Sequence, residues 1–278
     1  MRVILRWTCS QAYSGADVRL ARFKRVLRAA QRTEWYRPML ETAGLSTPES
    51  LASVDSIEQT LERLPVVELE LFHRSPGAFE SPGGPRAGLQ PFRSPLDHTP
   101  KTAVLMAGFQ QSSSVRVIAR NVSQGLKRFA ATALAGPVTA LRDLADRVEN
   151  GAVDAPALQH FVVSFTGHGE GELSEEDRER FWRVFQVPVF EQRLGFDGRV
   201  IAHECEAHDG LHILPERATF EQANNKELLL TSLTDLRYPT LRVRTRLARA
   251  IQHECCDCGN ATARLVGAGS LRALAAAC

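Results

Sequence analysis

The sequence is poor in most of the features that would assign it quickly. No apolar run approaches the length of a membrane-spanning helix, so no membrane segment is expected. A formal charge of +2 over 278 residues is too near neutrality to mark a nucleic-acid partner. Only six cysteines are present, and four of them crowd into one window, which does not resemble the disulfide framework of a small secreted protein. Met1-Arg2-Val3-Ile4-Leu5-Arg6-Trp7 is apolar for only three residues before Arg6 interrupts it, too few for a signal peptide. No serine sits in a Gly-x-Ser-x-Gly elbow, which argues against a hydrolase triad. There is no internal repeat, and no low-complexity tract except the Ala-rich Leu271–Cys278. These absences lead us to expect a cytoplasmic, reduced protein with ordinary apolar and charged fractions, long enough for one large domain or two small ones.

What is present is a concentration of soft donors. His203-Glu204-Cys205-Glu206-Ala207-His208-Asp209-Gly210-Leu211-His212 opens a window that closes with His253-Glu254-Cys255-Cys256-Asp257-Cys258-Gly259. Two apolar runs between them, Glu227–Leu233 and Tyr238–Ala248, read as β-strands. Thiols and imidazoles gathered at two points with sheet between suggest one metal ion joining two loops. The preferred set is Cys205, His212, Cys256 and Cys258, a tetrahedral donor group suited to structural zinc. His208, His253 and Cys255 are possible substitutes. Gly210 and Gly259 supply the turns that let the donors converge. The competing explanation is a set of unrelated buried thiols and surface histidines.

Taken in order, the chain predicts a helix over Asp17–Arg32 with Leu20, Phe23, Leu27 and Ala30 on one face and a run of arginines elsewhere. Shorter helices are expected at Glu34–Thr42 and Ser56–Leu61. Residues 73–100, rich in Pro, Gly and Ser, read as a long loop. Strands follow at Val104–Phe109 and Ser113–Ala119, then helices at Ser123–Ala135 and Val138–Glu149. The strand Phe161–Phe165, a Gly-rich turn, a helix capped by Ser174 with Asp177, and the strand Val187–Phe190 make a βαβ unit, which implies a parallel sheet. After Arg199 helices nearly stop. The expected organisation is a helical segment (1–72), an α/β portion (73–196) and a β-rich, zinc-stapled portion (197–278).

Several separated stretches also resemble one family. Glu204-Cys205, Asp209-Gly210-Leu211-His212, Leu228–Thr234, Tyr238-Pro239-Thr240-Leu241-Arg242-Val243-Arg244-Thr245 and Cys256-Asp257-Cys258-Gly259 are similar to phenylacetate–coenzyme A ligases and coenzyme F synthetases, members of the adenylate-forming superfamily. Tyr36-Arg37, Ala43-Gly44-Leu45, Leu61–Val66 and Gly167–Ser174 agree with it in order, and Phe185–Gly195 falls where the adenine-pocket motif follows. The resemblance implies an α/β fold: a mixed sheet with flanking helices, like the large domain of those enzymes without their C-terminal domain. It also implies ATP, Mg²⁺ and coenzyme A as co-substrates. Glu191, Arg242 and Arg244 are the candidate contacts to a small carboxylate or nucleotide: Arg242, Arg244 and Arg246 recur every second residue, so on a strand they share one face that could hold a carboxylate or phosphate, or that is simply an exposed strand face.

The departures fall on the nucleotide grip. No Ser/Thr/Gly-rich phosphate loop is evident, since Ser81-Pro82-Gly83-Gly84-Pro85 lacks threonines and a base, and its prolines remove N–H donors. Leu194-Gly195-Phe196-Asp197-Gly198 stands where the family has Tyr-Gly-x-x-Glu, and Leu247 where it has a ribose-binding Asp. The sequence therefore predicts a non-catalytic, zinc-stapled relative. The alternative is an active carboxylate-adenylating ligase that uses atypical residues or a partner protein supplying the C-terminal domain.

Overall fold

A computed structural model describes residues 12–118, 122–167, 169–223 and 227–267. Five helices come first: α1 (Ala12–Ala30), α2 (Tyr36–Thr42), α3 (Pro48–Ala52), α4 (Ile57–Glu62) and α5 (Leu69–Arg74). The α/β stretch follows with β1 (Thr102–Val104), β2 (Val115–Val117), α6 (Val122–Phe129), β3 (Ala133–Pro137), α7 (Val138–Glu149), β4 (Val162–Gly167) and α8 (Glu175–Phe185). Among the described residues only strands follow: β5 (Val189–Leu194), β6 (Val200–Glu204), β7 (Leu211–Ile213), β8 (Ala218–Gln222), β9 (Leu228–Ser232), β10 (Val243–Arg244), β11 (Arg249–Gln252) and β12 (Arg264–Gly267). No helix among the described residues is long and apolar enough to cross a membrane.

The chain forms two compact units. One comprises Met1–Pro85, Pro215–Glu221 and Leu229–Thr245. In it α1 buries Phe23, Val26, Leu27 and Ala30, positions spaced by three and four so that one helix face is apolar. Ser56 caps α4 by accepting from the Gln59 N–H. An aromatic cluster centres on Phe79, whose ring lies 5.1 Å from Trp35, 5.5 Å from Tyr36 and 4.8 Å from Phe72. Tyr36 is fully enclosed, and its hydroxyl donates to the Leu241 carbonyl while accepting from the Leu241 N–H. The sheet of this unit has the order β10-β9-β8. The strand expected over Tyr238–Ala248 shrinks to Val243–Arg244, because Arg242 and Arg246 take left-handed backbone conformations (φ 51° and 56°) that a strand cannot contain.

The other unit comprises Arg86–Leu214, Gln222–Leu228 and Arg246–Cys278. Its nine-stranded sheet runs β11-β12-β7-β6-β5-β4-β3-β1-β2. The five strands β2, β1, β3, β4 and β5 are parallel, and β5, β6, β7, β12 and β11 are antiparallel. Strand β4 is buried throughout, as expected of a parallel strand covered on both faces. On one face Ala103, Leu134, Val162 and Val189 meet Leu126, Leu141, Leu144, Phe181 and Phe185 of α6, α7 and α8. On the other, Val104, Ala135, Val163 and Phe190 pack with Phe92, Phe109, Phe161 and Phe165.

The expected βαβ unit is present as β4-α8-β5, with β4 and β5 parallel, and the capping box of Ser174 with Asp177 is formed in both directions. Two expectations fail nearby. The helix read over Ser123–Ala135 ends at Phe129, and Ala133–Pro137 is a central strand. Its alanines suit a helix by propensity, but hydrogen bonding to β1 and β4 on either side overrides that preference. Likewise β1 stops at Val104, and the chain bends to a positive φ of 96° at Gly108. The sequence-based division at residues 72 and 196 and these compact units describe different groupings.

The antiparallel half of the nine-stranded sheet curls. The Arg249 guanidinium of β11 lies 2.8 Å from the Glu191 carboxylate of β5, although three strands intervene. In a flat sheet four steps of about 4.8 Å would place the two far beyond an arginine's reach.

Candidate metal centre

The β6–β7 hairpin delivers two of the four donors. Cys205 follows β6 directly, and His212 sits in the middle of β7 with only 1 % of its surface exposed. Between them the chain reverses through Gly210 at φ 83°, where a Cβ would stand 2.7 Å from the Leu265 carbonyl oxygen. Only glycine fits there. The other two donors lie on a tight knuckle between β11 and β12. The Cys256 N–H donates to the Asn260 carbonyl (3.1 Å) and the Gly259 N–H to the Cys256 carbonyl (2.8 Å), with Gly259 at φ 82°. Pairing of β12 with β7 brings knuckle and hairpin together.

One ligand atom from each of Cys205, His212, Cys256 and Cys258 lies within 4.8 Å of all the others. The Cys205 and Cys256 sulfurs are 3.7 Å apart, and the Cys258 sulfur is 3.4 Å from His212 Nε2. A tetrahedral zinc with Zn–S of about 2.3 Å and Zn–N of about 2.0 Å requires S···S near 3.8 Å and S···N near 3.5 Å. A disulfide would need about 2.05 Å. The arrangement fits an ion and excludes a cross-link between Cys205 and Cys256 in this state.

The electrostatics suit the same purpose. Burial lowers the His212 pKa, which keeps the imidazole neutral. Its Nδ1 is 3.1 Å from the Thr262 hydroxyl, so Nε2 is the nitrogen turned to the sulfurs. Burial pushes the Cys205 thiol up to about 12. Burial also opposes ionisation of Cys256, but hydrogen bonds from the backbone and thiol of Cys258 and from Cys205 outweigh it, and its pKa falls. Three thiolates and one imidazole on a divalent cation carry a net charge of −1. Arg264 on β12, only 2 % exposed, lies behind the cluster and is anchored by the Asp209 backbone carbonyl (2.7 Å) and carboxylate.

No protein-family model matches the sequence, and no curated protein is similar enough to match it. Solved structures are another matter. An open conformation of 2-hydroxyisobutyryl-CoA ligase in complex with 2-HIB-AMP and CoA superposes with a TM-score of 0.64 at 14 % identity, over 89 % of this chain and 72 % of that one. The same enzyme in the thioesterification state gives 0.65 at 14 % identity, and in the postadenylation state with 2-HIB-AMP 0.65 at 15 %; each covers 92 % of this chain and 67 % of the ligase. The fold is similar to that of 2-hydroxyisobutyryl-CoA ligase over about two thirds or more of that enzyme's length.

Within that fold the remaining candidate residues are already engaged. Glu191, 2 % exposed, accepts from the Thr166 hydroxyl (2.7 Å) and from Arg249 (2.8 Å). Arg242 pairs with Glu221 (3.2 Å) and donates to the Leu64 carbonyl, and the Arg244 Nε–H is shared between the two Glu68 carboxylate oxygens (3.0 Å to each). The arginines therefore do not form one free cationic face. Of the substitute metal donors, His208 is turned onto the Phe190 ring, with its Nδ1 3.0 Å from Glu204. Cys255 and His253 are exposed, the former with its sulfur toward the Cys256 and Asn260 carbonyls. His168, Cys9 and Cys278 lie outside the described residues.

Two contributors escaped the sequence reading. Thr262 and Arg264 carry no metal-donor signature, and only the pairing of β12 with β7 shows that they stand behind His212 and Cys256.

Proposed function

We propose that this chain is a relative of the adenylate-forming CoA ligases in which a structural zinc ion, held by Cys205, His212, Cys256 and Cys258, staples the curled antiparallel part of the sheet. In this reading it is a binding or structural domain rather than a ligase. The observation that carries it is the convergence of four soft donors within 4.8 Å on a CoA-ligase fold. Four protein donors leave a tetrahedral ion no open position, and such an ion contributes folding energy rather than Lewis acidity.

The loss of catalysis has its own support among the described residues. Ligands of open α/β sheets bind beyond the carboxyl ends of the parallel strands, often with phosphate on a helix N-terminus. Here α7 starts directly after Pro137, so its N-terminus lacks one of the four N–H groups it could offer. The first turn of α8 holds Glu175, Glu176 and Asp177, which repel phosphate. Glu191, Arg242 and Arg244 are paired with other side chains, so contact with a nucleotide or carboxylate would have to break those pairs.

Two measurements test the two halves separately. Metal analysis of protein purified without chelator should give about one zinc per chain; a metal-free folded protein overturns the staple. ATP–pyrophosphate exchange across a panel of aryl and fatty acids should be absent, and clear exchange overturns the loss of catalysis.

A further inference from the structure

Two exposed helix faces carry side chains that make no hydrogen bond or ion pair among the described residues. On α1 the outward stripe is Val18, Ala21, Arg25 and Arg28, extended past the helix end by Arg32. Val18 is 45 % exposed, and none of the three arginines has a side-chain hydrogen bond or ion pair among the described residues. On α8 the outward stripe is Glu175, Glu179 and Trp182, with Glu176 beside it. Trp182 is 56 % exposed and forms one wall of a groove whose floor is Pro188, Val189 and His208. The three glutamates have no ion-pair partner among the described residues either: Arg178 in the same groove is committed to the buried Glu204 (3.1 Å), and Arg183, which also lines it, makes no ion pair with them.

The two stripes match when run in opposite directions. Ala21, Arg25 and Arg28 span seven residues, as do Trp182, Glu179 and Glu175. At 1.5 Å per residue both cover about 10.5 Å. An antiparallel pairing sets the small Ala21 against the large Trp182, Arg25 against Glu179, and Arg28 against Glu175, with Val18 extending the apolar end. The arginines sit at the C-terminal end of their helix and the glutamates in the first turn of theirs, where each sign is favoured by the helix dipole. An exposed tryptophan ringed by charged residues is also the composition of an interface anchor.

We propose that α1 of one molecule docks antiparallel in the α8 groove of a second copy, with Trp182 as the apolar anchor and Arg25–Glu179 and Arg28–Glu175 fixing the register. The test is sedimentation velocity on the purified full chain across a concentration series. At about 30 mM salt it should show reversible self-association on the order of 10 µM, weakened at least tenfold at about 500 mM, where the screening length falls to roughly 4 Å. Arg28→Glu, Glu175→Arg and Trp182→Ala should each weaken it at least tenfold without altering the circular dichroism spectrum. A chain carrying Arg25→Glu and Arg28→Glu, mixed with one carrying Glu175→Arg and Glu179→Arg, should form a mixed complex although neither associates alone. A single monomeric species up to about 200 µM at low salt overturns the proposal. So does association indifferent to the reversals, or failure of the complementary pair to combine.

Discussion

Three constraints meet at Cys256: it is buried, its sulfur lies 3.7 Å from that of Cys205, and Arg264 stands behind it. Removing the cation while keeping the volume isolates the electrostatic part. Arg264→Met should weaken zinc binding by about ten- to a hundredfold in competition with a chromogenic chelator, the range usual for groups that support metal ligands. A second residue-scale prediction concerns Asp177. Its carboxylate receives two bonds from Arg142 (2.7 and 2.6 Å), which hold its pKa well below the ordinary carboxylate range against the opposing effect of burial. A carboxylate depressed in the folded state adds stability that is complete above its unfolded pKa of about 3.9 and is lost as pH falls below it. Urea midpoints of the native chain should therefore drop more steeply below about pH 4 than those of Asp177→Asn, which also loses about 1–2 kcal/mol of cap and ion pair at neutral pH. That Cys205, His212, Cys256 and Cys258 come together was legible from residue type and crowding alone. Thr262 and Arg264 were not, because nothing local to either residue says which strand it will face.

Strand β4 ends at Gly167, whose φ is 112° and whose missing side chain leaves room for the Leu194 carbonyl of β5; a Cβ would stand 2.5 Å from that oxygen. Backbone cannot move aside as a flexible side chain can. Gly167→Ala should cost more than about 2 kcal/mol in urea unfolding. Gly169→Ala, also at positive φ but with nothing within 4 Å, should cost about 1 kcal/mol. Elements whose signals are local were readable in the same way. The helix α7 occupies the expected Val138–Glu149 and α8 starts at its predicted cap, since amphipathic spacing and capping are properties of neighbouring residues. Strand β3 was not readable: Ala133 to Pro137 has neither alternation nor β-branching, and its conformation is imposed by β1 and β4. The reverse happened at Tyr238–Ala248, where apolar alternation promised a strand and two left-handed arginines cut it short.

For the whole molecule, removal of metal should act locally before it acts globally. A chelator such as EDTA should lower the melting temperature by roughly 10 °C if the ion contributes several kcal/mol. Hydrogen exchange should show protection lost first at Leu211–Ile213 and Arg264–Gly267, while the helices α1 to α4 keep theirs. Uniform loss across the chain would mean that the ion supports more than the curled strands. The division of the chain has a further consequence for how it is made. The unit that opens the sequence is completed only by Pro215–Glu221 and Leu229–Thr245, which follow most of the other unit. At roughly 5–20 residues per second on a ribosome, its helices leave the exit tunnel on the order of ten to thirty seconds before the strands that finish their core. During that interval the Tyr36 hydroxyl lacks the Leu241 backbone and Arg19 lacks Pro215 and Thr219, so the opening helices wait with native contacts unmade until the late strands are synthesised.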